Sequence, residues 1–245
     1  MKVLFVEAKA KKNIVEAISK SLKGIPEKKI GLISTAQFAN QLLDVKRYLQ
    51  SKGKIAVIEK SSKFFYSENC SKQNKVFVIG KPLGSAVLDG QILGCDVSAA
   101  TSIDNKVDCF LYIGTGEFHP LGILAKTEKP IYVLDPFTEK LRAVPKEEKQ
   151  KLWKKQILRL AQFKDCKTIG ILVSTKPGQC KLQANPEEIK KKLEKQGKKV
   201  YIFIGDLIID SELQNYLNID GWVNTACPRL ADDTFSKPFV NAIDL

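Results

Sequence analysis

Two cysteines occupy loops in which a thiol could act chemically. Cys95 lies in the peptide Gly-Gln-Ile-Leu-Gly-Cys-Asp, residues 90–96, and Cys227 directly follows the largely apolar stretch at residues 221–226. Open α/β sheets hold their ligands at the carboxyl ends of their strands, and a thiolate is a strong ligand for soft metals. The two thiols, placed at matching sites of two domains, therefore predict one shared ligand.

A glycine-rich peptide supplies a second set of candidate residues. Gly114, Thr115 and Gly116 follow an apolar run and precede His119, the single histidine of the chain. Glycines after a strand let backbone N–H groups approach an anion or a carboxylate, and the start of a helix adds a favourable dipole. The spacing departs from the dinucleotide fingerprint, because its third glycine is displaced. A small polar ligand and a plain tight turn both remain open here, as do a functional and a structural role for the histidine.

Three polar side chains in the second half of the chain could orient a charged ligand. Lys176 and Gln179 lie in the turn after the apolar run 168–174, and Arg229 follows Cys227 and a proline. Lysine and arginine both bind carboxylates, arginine through two parallel hydrogen bonds, and glutamine both donates and accepts. A polar turn without a ligand is the alternative for the first pair.

Composition excludes several classes of protein. The chain has 245 residues, 44% of them hydrophobic, and contains six cysteines without any pair at zinc-ribbon or ferredoxin spacing. A metal site would have to be assembled from distant loops. Neither a signal peptide nor a long apolar run is present, so we expect a cytoplasmic protein with free thiols, without a disulfide framework and without a membrane partner.

The formal charge is +13, which favours an acidic partner. The lysines are spread over predicted helix faces such as 187–195 and are not interleaved with aromatic residues. A solvated lysine-rich surface is the simplest interpretation. Specific nucleic-acid binding is therefore not expected, although the charge alone keeps a basic nucleic-acid-binding module as a minor alternative.

The order of predicted elements indicates an α/β fold with mainly parallel sheets, because strands alternate with helices. Helices are predicted at 36–51, at 186–197 and at 146–163, the last of which would connect two domains. We predict two related three-layer domains, 26–148 and 149–245, and the remnant of a third at 1–25. Apolar runs predict strands at 3–7, 30–34, 55–59, 110–114, 131–135, 168–174, 200–205 and 221–225, and the polar segment 60–80 predicts a loop or hairpin.

Taken together, five motifs in this order resemble the family of archaeal diphthamide-synthesis radical enzymes. The resemblance spans nearly the whole chain, and five ordered motifs are far more specific than any one of them. They are Gly-Gln-Ile-Leu-Gly-Cys-Asp at 90–96, Tyr-Ile-Gly-Thr-Gly-Glu-Phe-His-Pro-Leu-Gly at 112–122, Val-Leu-Asp-Pro-Phe-Thr at 133–138, Val-Ser-Thr-Lys-Pro-Gly-Gln at 173–179 and Thr-Ala-Cys-Pro-Arg-Leu-Ala-Asp-Asp at 225–233.

The resemblance implies a [4Fe-4S] cluster held by three cysteines from three related domains, with one iron open to S-adenosylmethionine. In the family, a 3-amino-3-carboxypropyl radical adds to C2 of one histidine in the translocating elongation factor, which begins diphthamide synthesis. Cys95 and Cys227 match two of the cluster ligands. The resemblance also places the remaining candidates at the pocket for S-adenosylmethionine or the target histidine: Gly114, Thr115, Gly116 and Lys176 as binding residues, Gln179 as a binding and catalytic residue, and His119 and Arg229 as catalytic residues.

The family's first cluster cysteine has no counterpart here, since the chain resembles the family from the last strand and helix of its N-terminal domain onward. We expect a separate polypeptide to supply that domain, so that the chain is part of a split or oligomeric enzyme. Another cysteine could substitute instead, with Cys180 better placed than Cys70 or the strand-flanking Cys109 and Cys166. As a further alternative, the chain is a non-catalytic scaffold or electron-relay subunit of a full-length homologue.

Overall fold

The computed structural model describes residues 9–60, 64–65, 78–79, 86, 88–176 and 184–245. Its backbone divides into two compact units, Met1–Lys149 and Gln150–Leu245. The division falls near the start of the long helix for which the sequence predicted a connecting role, one residue from the predicted boundary at 148/149. Each unit contains its own parallel sheet, so each is described by itself.

The first unit alternates strands and helices along the chain. Its helices are α1 (Ile14–Ser21), α2 (Ala36–Ala39), α3 (Leu42–Ser51), α4 (Ser98–Thr101) and α5 (Phe118–Leu124). Its strands are β1 (Lys29–Ser34), β2 (Ile55–Val57), β3 (Phe64–Phe65), β4 (Val78–Ile79), β5 (Cys109–Ile113), β6 (Ile131–Asp135) and β7 (Lys140–Ala143).

The main sheet of this unit has the order β2-β1-β5-β6-β7. The first four strands run parallel, and β7 pairs antiparallel with β6 at the edge. Strand β5 is buried along its whole length, and successive side chains enter opposite cores: Leu111 packs with α1 and α3, whereas Phe110 and Tyr112 pack with α4 and α5. This two-sided burial explains why the strand is a continuous apolar run.

The described part of segment 1–25 packs into the first of these cores. Ile14, Ile18 and Ile25 are fully buried there, beside residues of α3 and β1. Asn13 begins α1 as its N-cap, because its side chain accepts a hydrogen bond from the Glu16 backbone N–H. The segment that the sequence assigned to a third domain thus contributes to the core of the first unit.

The second unit begins within α6 (Lys146–Lys164) and has a four-stranded sheet of order β11-β10-β8-β9, all parallel. Its strands are β8 (Thr168–Ser174), β9 (Lys199–Gly205), β10 (Gly221–Asn224) and β11 (Phe239–Asn241), and its further helices are α7 (Pro186–Glu194) and α8 (Asp210–Leu213). Trp222 is buried on one face with Phe203 and Phe239, and Val223 is buried on the other.

The α/β class and the mainly parallel sheets are confirmed, and most predicted strands are present within a residue or two of their predicted bounds. The prediction missed the edge strands β7 and β11. Helix 36–51 is divided at Asn40 and Gln41, and the predicted hairpin contains the antiparallel pair β3 and β4. The predicted strand at 3–7 lies outside the described residues. No helix of the described chain is long and apolar enough to cross a membrane.

Candidate functional site

The loop that carries Cys95 pairs with the carboxyl end of β1. The Ser34 N–H donates to the Gly90 carbonyl at 2.9 Å, and the Ile92 N–H donates to the Ser34 carbonyl at 2.9 Å. Leu93 and Asp96 then exchange backbone hydrogen bonds of 2.8 and 3.2 Å, which closes a tight turn with Gly94 and Cys95 at its tip. Cys95 is exposed there. Backbone pairing therefore brings this thiol to the edge of the sheet where α/β proteins bind ligands.

Gly94 allows the turn to lie directly against α5. A Cβ added to Gly94 would come within 1.8 Å of the Phe118 ring, so an alanine would displace the ring. Gly122, one helical turn further along α5, has the Gly94 carbonyl 3.8 Å from its own Cβ position. The motif that contains Cys95 and the motif that contains His119 are thus packed on each other through a glycine and a phenylalanine.

The glycine loop after β5 lies at the same edge of this sheet. The Gly114 N–H donates to the Leu134 carbonyl of β6 at 3.1 Å, and Gly116 has a φ of 73°, which favours glycine. Arg142 on β7 contacts the Glu117 carboxylate at 2.5 Å and the Gly116 carbonyl at 3.4 Å. Strand β7, which the sequence did not predict, therefore supports the glycine loop that the sequence did predict.

His119 lies in the first turn of α5 between two aromatic rings. The Tyr112 hydroxyl is 3.3 Å from its Nδ1, and the two rings stack with centroids 5.8 Å apart. The Phe118 ring meets the imidazole edge-on at 5.2 Å. Tyr112 is completely buried, and this burial raises the pKa of its phenol, so the hydroxyl keeps its proton throughout the physiological range.

In the second unit, two asparagines hold the Cys227 loop at the carboxyl end of β10. The completely buried Asn224 accepts from the Ala226 N–H at 3.0 Å and donates both to the Cys227 carbonyl at 2.8 Å and to Asn241 Oδ1 at 2.9 Å. Asn241 on β11 in turn donates to the Pro228 carbonyl at 3.0 Å. Cys227 is half-buried. Side-chain amides perform here the role that backbone pairing performs around Cys95.

Arg229 belongs to the short 3-10 turn Pro228–Asp232 that follows this thiol. Its Nε is 2.9 Å from Asp232 Oδ2, and 15% of its side chain is exposed. The arginine was predicted to bind the carboxylate of a ligand. The carboxylate 2.9 Å from its Nε in this structure is that of Asp232, but the contact lacks hydrogen-bond geometry at Nε, so charge rather than a hydrogen bond joins the two side chains.

The other predicted polar residues follow β8, the strand next to β10. Ser174 is buried, and its hydroxyl accepts from the Lys176 N–H at 3.2 Å. The Thr175 N–H donates to the Gly205 carbonyl at the end of β9, at 2.9 Å. Lys176 is exposed at this edge of the sheet. Gln179, predicted to face the same pocket, lies outside the described residues.

Two further cysteines are buried, as the sequence predicted for core thiols. Burial raises the pKa of the Cys109 thiol to about 12, assisted by the charge of Glu27, and burial also raises the pKa of the Cys166 thiol. Raised pKa values keep thiols protonated, and the thiolate is the metal ligand. Neither is suited to replace a cluster cysteine. Cys70 and Cys180 lie outside the described residues.

The donor set of the two loops fits an iron–sulfur cluster in chemical type. Both thiols, of Cys95 and Cys227, are accessible to some degree at sheet edges, and thiolates are the usual ligands of such clusters. Within the part of the chain that the structure describes, no three Cys, His, Asp or Glu side chains form a metal site by themselves. The roles predicted for the individual residues therefore stay predictions.

Sequence reasoning missed the residues that hold the candidate side chains in place. Tyr112, Asn224 and Asn241 stand in or beside apolar strands, where they look like ordinary strand residues. One local signal was available: a polar residue inside an otherwise buried strand requires a hydrogen-bond partner, and Asn224 occurs three residues before Cys227.

Comparisons with known proteins point to one family. The model of the family described as "Putative diphthamide synthesis protein" matches residues 1–245. A 2-(3-amino-3-carboxypropyl)histidine synthase of Pyrococcus horikoshii is 30% identical over 234 residues, which cover 95% of this chain and 60% of the relative. Subunit 1 of the synthase of that name in Schizosaccharomyces pombe is 27% identical, over 95% of this chain and 49% of the relative.

Solved structures agree with the sequence comparison. The crystal structures of Dph2 from Pyrococcus horikoshii, one of them with a 4Fe-4S cluster, match the fold with a TM-score of 0.76 and 28% identity. The match covers 95% of this chain and 61% of the solved one. The chain thus spans about three fifths of the length of the Pyrococcus relative.

Proposed function

The chain belongs to the diphthamide synthesis family, and from this premise we propose that it acts in the first step of diphthamide synthesis. In that step, the 3-amino-3-carboxypropyl group of S-adenosylmethionine is transferred to C2 of a histidine in the translocating elongation factor. The proposal rests on one observation above all. In a chain matched to the family from end to end, each unit presents one cysteine in a held loop at the carboxyl edge of its own parallel sheet.

Cys95 and Cys227 are the proposed cluster ligands. Their loops are held by backbone pairing in one unit and by asparagine side chains in the other. These hydrogen bonds fix the backbone next to each cysteine and so the point from which its side chain projects. When bound, a [4Fe-4S] cluster supplies one electron at a site where an open iron can hold the amino and carboxylate groups of S-adenosylmethionine. The chain's own contribution is to hold, orient and shield these groups.

The remaining candidates would bind the charged ends of S-adenosylmethionine. The N–H groups of Thr115 and Gly116 and the ammonium group of Lys176 suit its carboxylate. The Gly114 N–H is bound to the Leu134 carbonyl, so Gly114 would contribute by holding the loop in place. Gln179 offers an amide that can both donate and accept. Arg229, whose Nε lies 2.9 Å from Asp232, would place its positive charge beside the carboxylate of the ligand.

The proposed protein substrate is the translocating elongation factor, and the formal charge of +13 would assist encounter with an acidic surface on it. That the chain works in the cytoplasm, and as part of a homo- or hetero-oligomer in which another polypeptide supplies the third cysteine, stays a prediction from the sequence. A scaffold or electron-relay subunit remains the competing hypothesis.

Anaerobic reconstitution tests the proposal. The chain is loaded with iron and sulfide, alone and mixed with a candidate partner that contains the N-terminal domain, and iron is counted per chain. We expect Cys95→Ala and Cys227→Ala each to lose most of the bound iron, because each removes one thiolate ligand. Cys166→Ala is the matched control, since that thiol is buried and its pKa is raised.

Two results would contradict the proposal. Bound iron that is unchanged in both loop variants would remove these thiols from the ligand set. If aminocarboxypropyl transfer to the elongation factor persists when Cys95 and Cys227 are both replaced, the scaffold hypothesis replaces the catalytic one.

A further inference from the structure

We infer that Tyr112 is a positioning residue that holds His119 in the tautomer with its proton on Nε2. The imidazole would then act as a hydrogen-bond donor through Nε2 to an anionic group of the bound ligand. The tautomer follows from the geometry around Tyr112, whereas the donor role rests on the proposed function.

The phenol of Tyr112 is a donor in a buried place. It is completely buried on β5, and a Cβ added to Gly114 would lie 2.4 Å from its oxygen, so the hydroxyl lies against the Gly114 backbone. Nδ1 of His119, at 3.3 Å, is the hydrogen-bond partner that the described residues give it. A buried hydroxyl without an acceptor is costly, and the raised pKa keeps this phenol protonated. The Tyr112 hydroxyl therefore donates its proton in a hydrogen bond to Nδ1.

An accepting Nδ1 determines the state of the other nitrogen. In a neutral imidazole one ring nitrogen carries the proton and the other accepts. When Nδ1 accepts from the phenol, the proton stands on Nε2, so the ring can donate there and cannot act as a base there. This is the usual way in which a hydrogen bond to one nitrogen sets the role of the other.

Ring packing sets the plane of the imidazole. Tyr112 stacks on one side with an interplanar angle of 22°, and Phe118 meets the imidazole at 86°. Phe118 itself is packed against Gly94, next to the proposed ligand Cys95. Within the plane that these rings set, the hydrogen bond to Tyr112 places Nδ1 on the side of the phenol.

The single histidine allows a direct measurement of the tautomer. The chain is labelled with ¹⁵N-histidine, and long-range ¹H–¹⁵N correlation is recorded at about pH 8.5, where an imidazole of ordinary pKa is neutral. We expect the wild-type spectrum to show a protonated Nε2 and an accepting Nδ1. In Tyr112→Phe, the ratio of the Nε2–H to the Nδ1–H tautomer should fall about fivefold, the effect of one lost neutral hydrogen bond.

Tyr132→Phe is the matched control for this measurement. Its hydroxyl, on the neighbouring strand β6, donates to Glu27 at 3.1 Å, and the tautomer ratio of His119 should not change in this variant. A wild-type spectrum with the proton on Nδ1 would overturn the inference without any variant. An equal ratio in wild type and Tyr112→Phe would do the same. The measurement needs neither cluster nor S-adenosylmethionine, so it stands apart from the proposed function.

The donor role is tested by two amide substitutions. The side-chain nitrogen of glutamine can take the place of Nε2 and that of asparagine the place of Nδ1, so His119→Gln should bind S-adenosylmethionine several-fold more tightly than His119→Asn in calorimetric titration of the reconstituted chain. Equal binding by the two variants would overturn the donor role and leave the tautomer intact. If the wild type does not bind, the donor role and the proposed cofactor fall together, and the tautomer measurement still decides the role of Tyr112.

Discussion

The two cysteine loops reach the same kind of place by different physical means. Around Cys95, the chain is held by backbone hydrogen bonds to the end of β1 and by the contact of Gly94 with Phe118. Around Cys227, it is held by the amides of Asn224 and Asn241. One loop extends the sheet, and the other is joined to it through side chains.

The difference concerns how each support fails. Phe118 is 45% exposed, so its ring can move outward when the turn beside it changes. Asn224 is completely buried, and each atom of its amide has a partner. A buried polar network costs much when one member is removed, because the remaining groups are left without partners. We therefore expect the second unit to be the more sensitive of the two.

Replacement of Asn224 by alanine should have the largest effect. It removes hydrogen bonds to Cys227, Ala226 and Asn241, of which Ala226 is fully buried and the other two are half-buried, so the free energy of unfolding of the second unit should fall by about 3 kcal/mol. Urea denaturation followed by Trp222 fluorescence measures the change, since this tryptophan is buried beside Asn224 in β10.

Asn215→Ala serves as the control for that prediction, because Asn215 is exposed in a turn of the same unit. It should change the free energy of unfolding by less than about 0.5 kcal/mol. If the two variants were equally stable, the amide network around Cys227 would not be what holds the loop.

Replacement of Gly94 by alanine should have a smaller effect, confined to the first unit. The new methyl group would displace the Phe118 ring, and the ring can move toward solvent, so we expect a local cost of about 1 kcal/mol. Hydrogen exchange at the Ile92 amide, which bonds to Ser34, should become about fivefold faster.

Gly122→Ala in α5 is the matched control, with an effect of opposite sign. Its Cβ would make ordinary contact with Val97 at 3.5 Å, and alanine favours helix over glycine by up to about 1 kcal/mol. Slower exchange in Gly94→Ala than in the wild type would contradict the idea that glycine is needed for the contact with Phe118.

The sequence could predict the sheets, because strands covered on both faces are continuous apolar runs. It could not predict β7, whose residues are half-exposed or exposed and which pairs at the edge with β6. The division between α2 and α3 also depends on distant contacts: the Gln41 side chain bonds to Ala10 and Ile14, 31 and 27 residues away. The local periodicity of apolar residues cannot indicate contacts between residues so far apart in the sequence.

The candidate site was predictable in its reactive residues and not in their supports. The cysteines, the histidine and the glycines can be identified as candidates by residue type and spacing. Tyr112 and Asn224 have their roles only because of the residues that the fold places beside them. Whether a thiol is buried also depends on the fold, although the position of Cys109 and Cys166 next to apolar runs was sufficient to indicate it.

The smallest predicted effects concern the ion pair beside each loop. Arg142 and Glu117 in the first unit are 39% and 57% exposed, whereas Arg229 and Asp232 in the second are 15% and 41% exposed. An exposed pair contributes little and is screened by salt, because the Debye length falls from about 10 Å at 0.1 M to about 3 Å at 1 M. Glu117→Gln should therefore lower the free energy of unfolding by less than about 0.5 kcal/mol, and Asp232→Asn by about 1 kcal/mol.

Salt distinguishes the two pairs more sharply than size of effect does. Both variants and the wild type are denatured at 0.1 M and at 1 M salt, between which the Debye length falls from about 10 Å to about 3 Å. At the higher salt, the difference in stability from the wild type should vanish for Glu117→Gln and largely persist for Asp232→Asn. The reason is that the guanidinium of Arg229 is largely withdrawn from solvent, where mobile ions cannot take the place of its partner. If both differences vanished at high salt, Asp232 would not orient Arg229, and the second loop would owe its order to the asparagines alone.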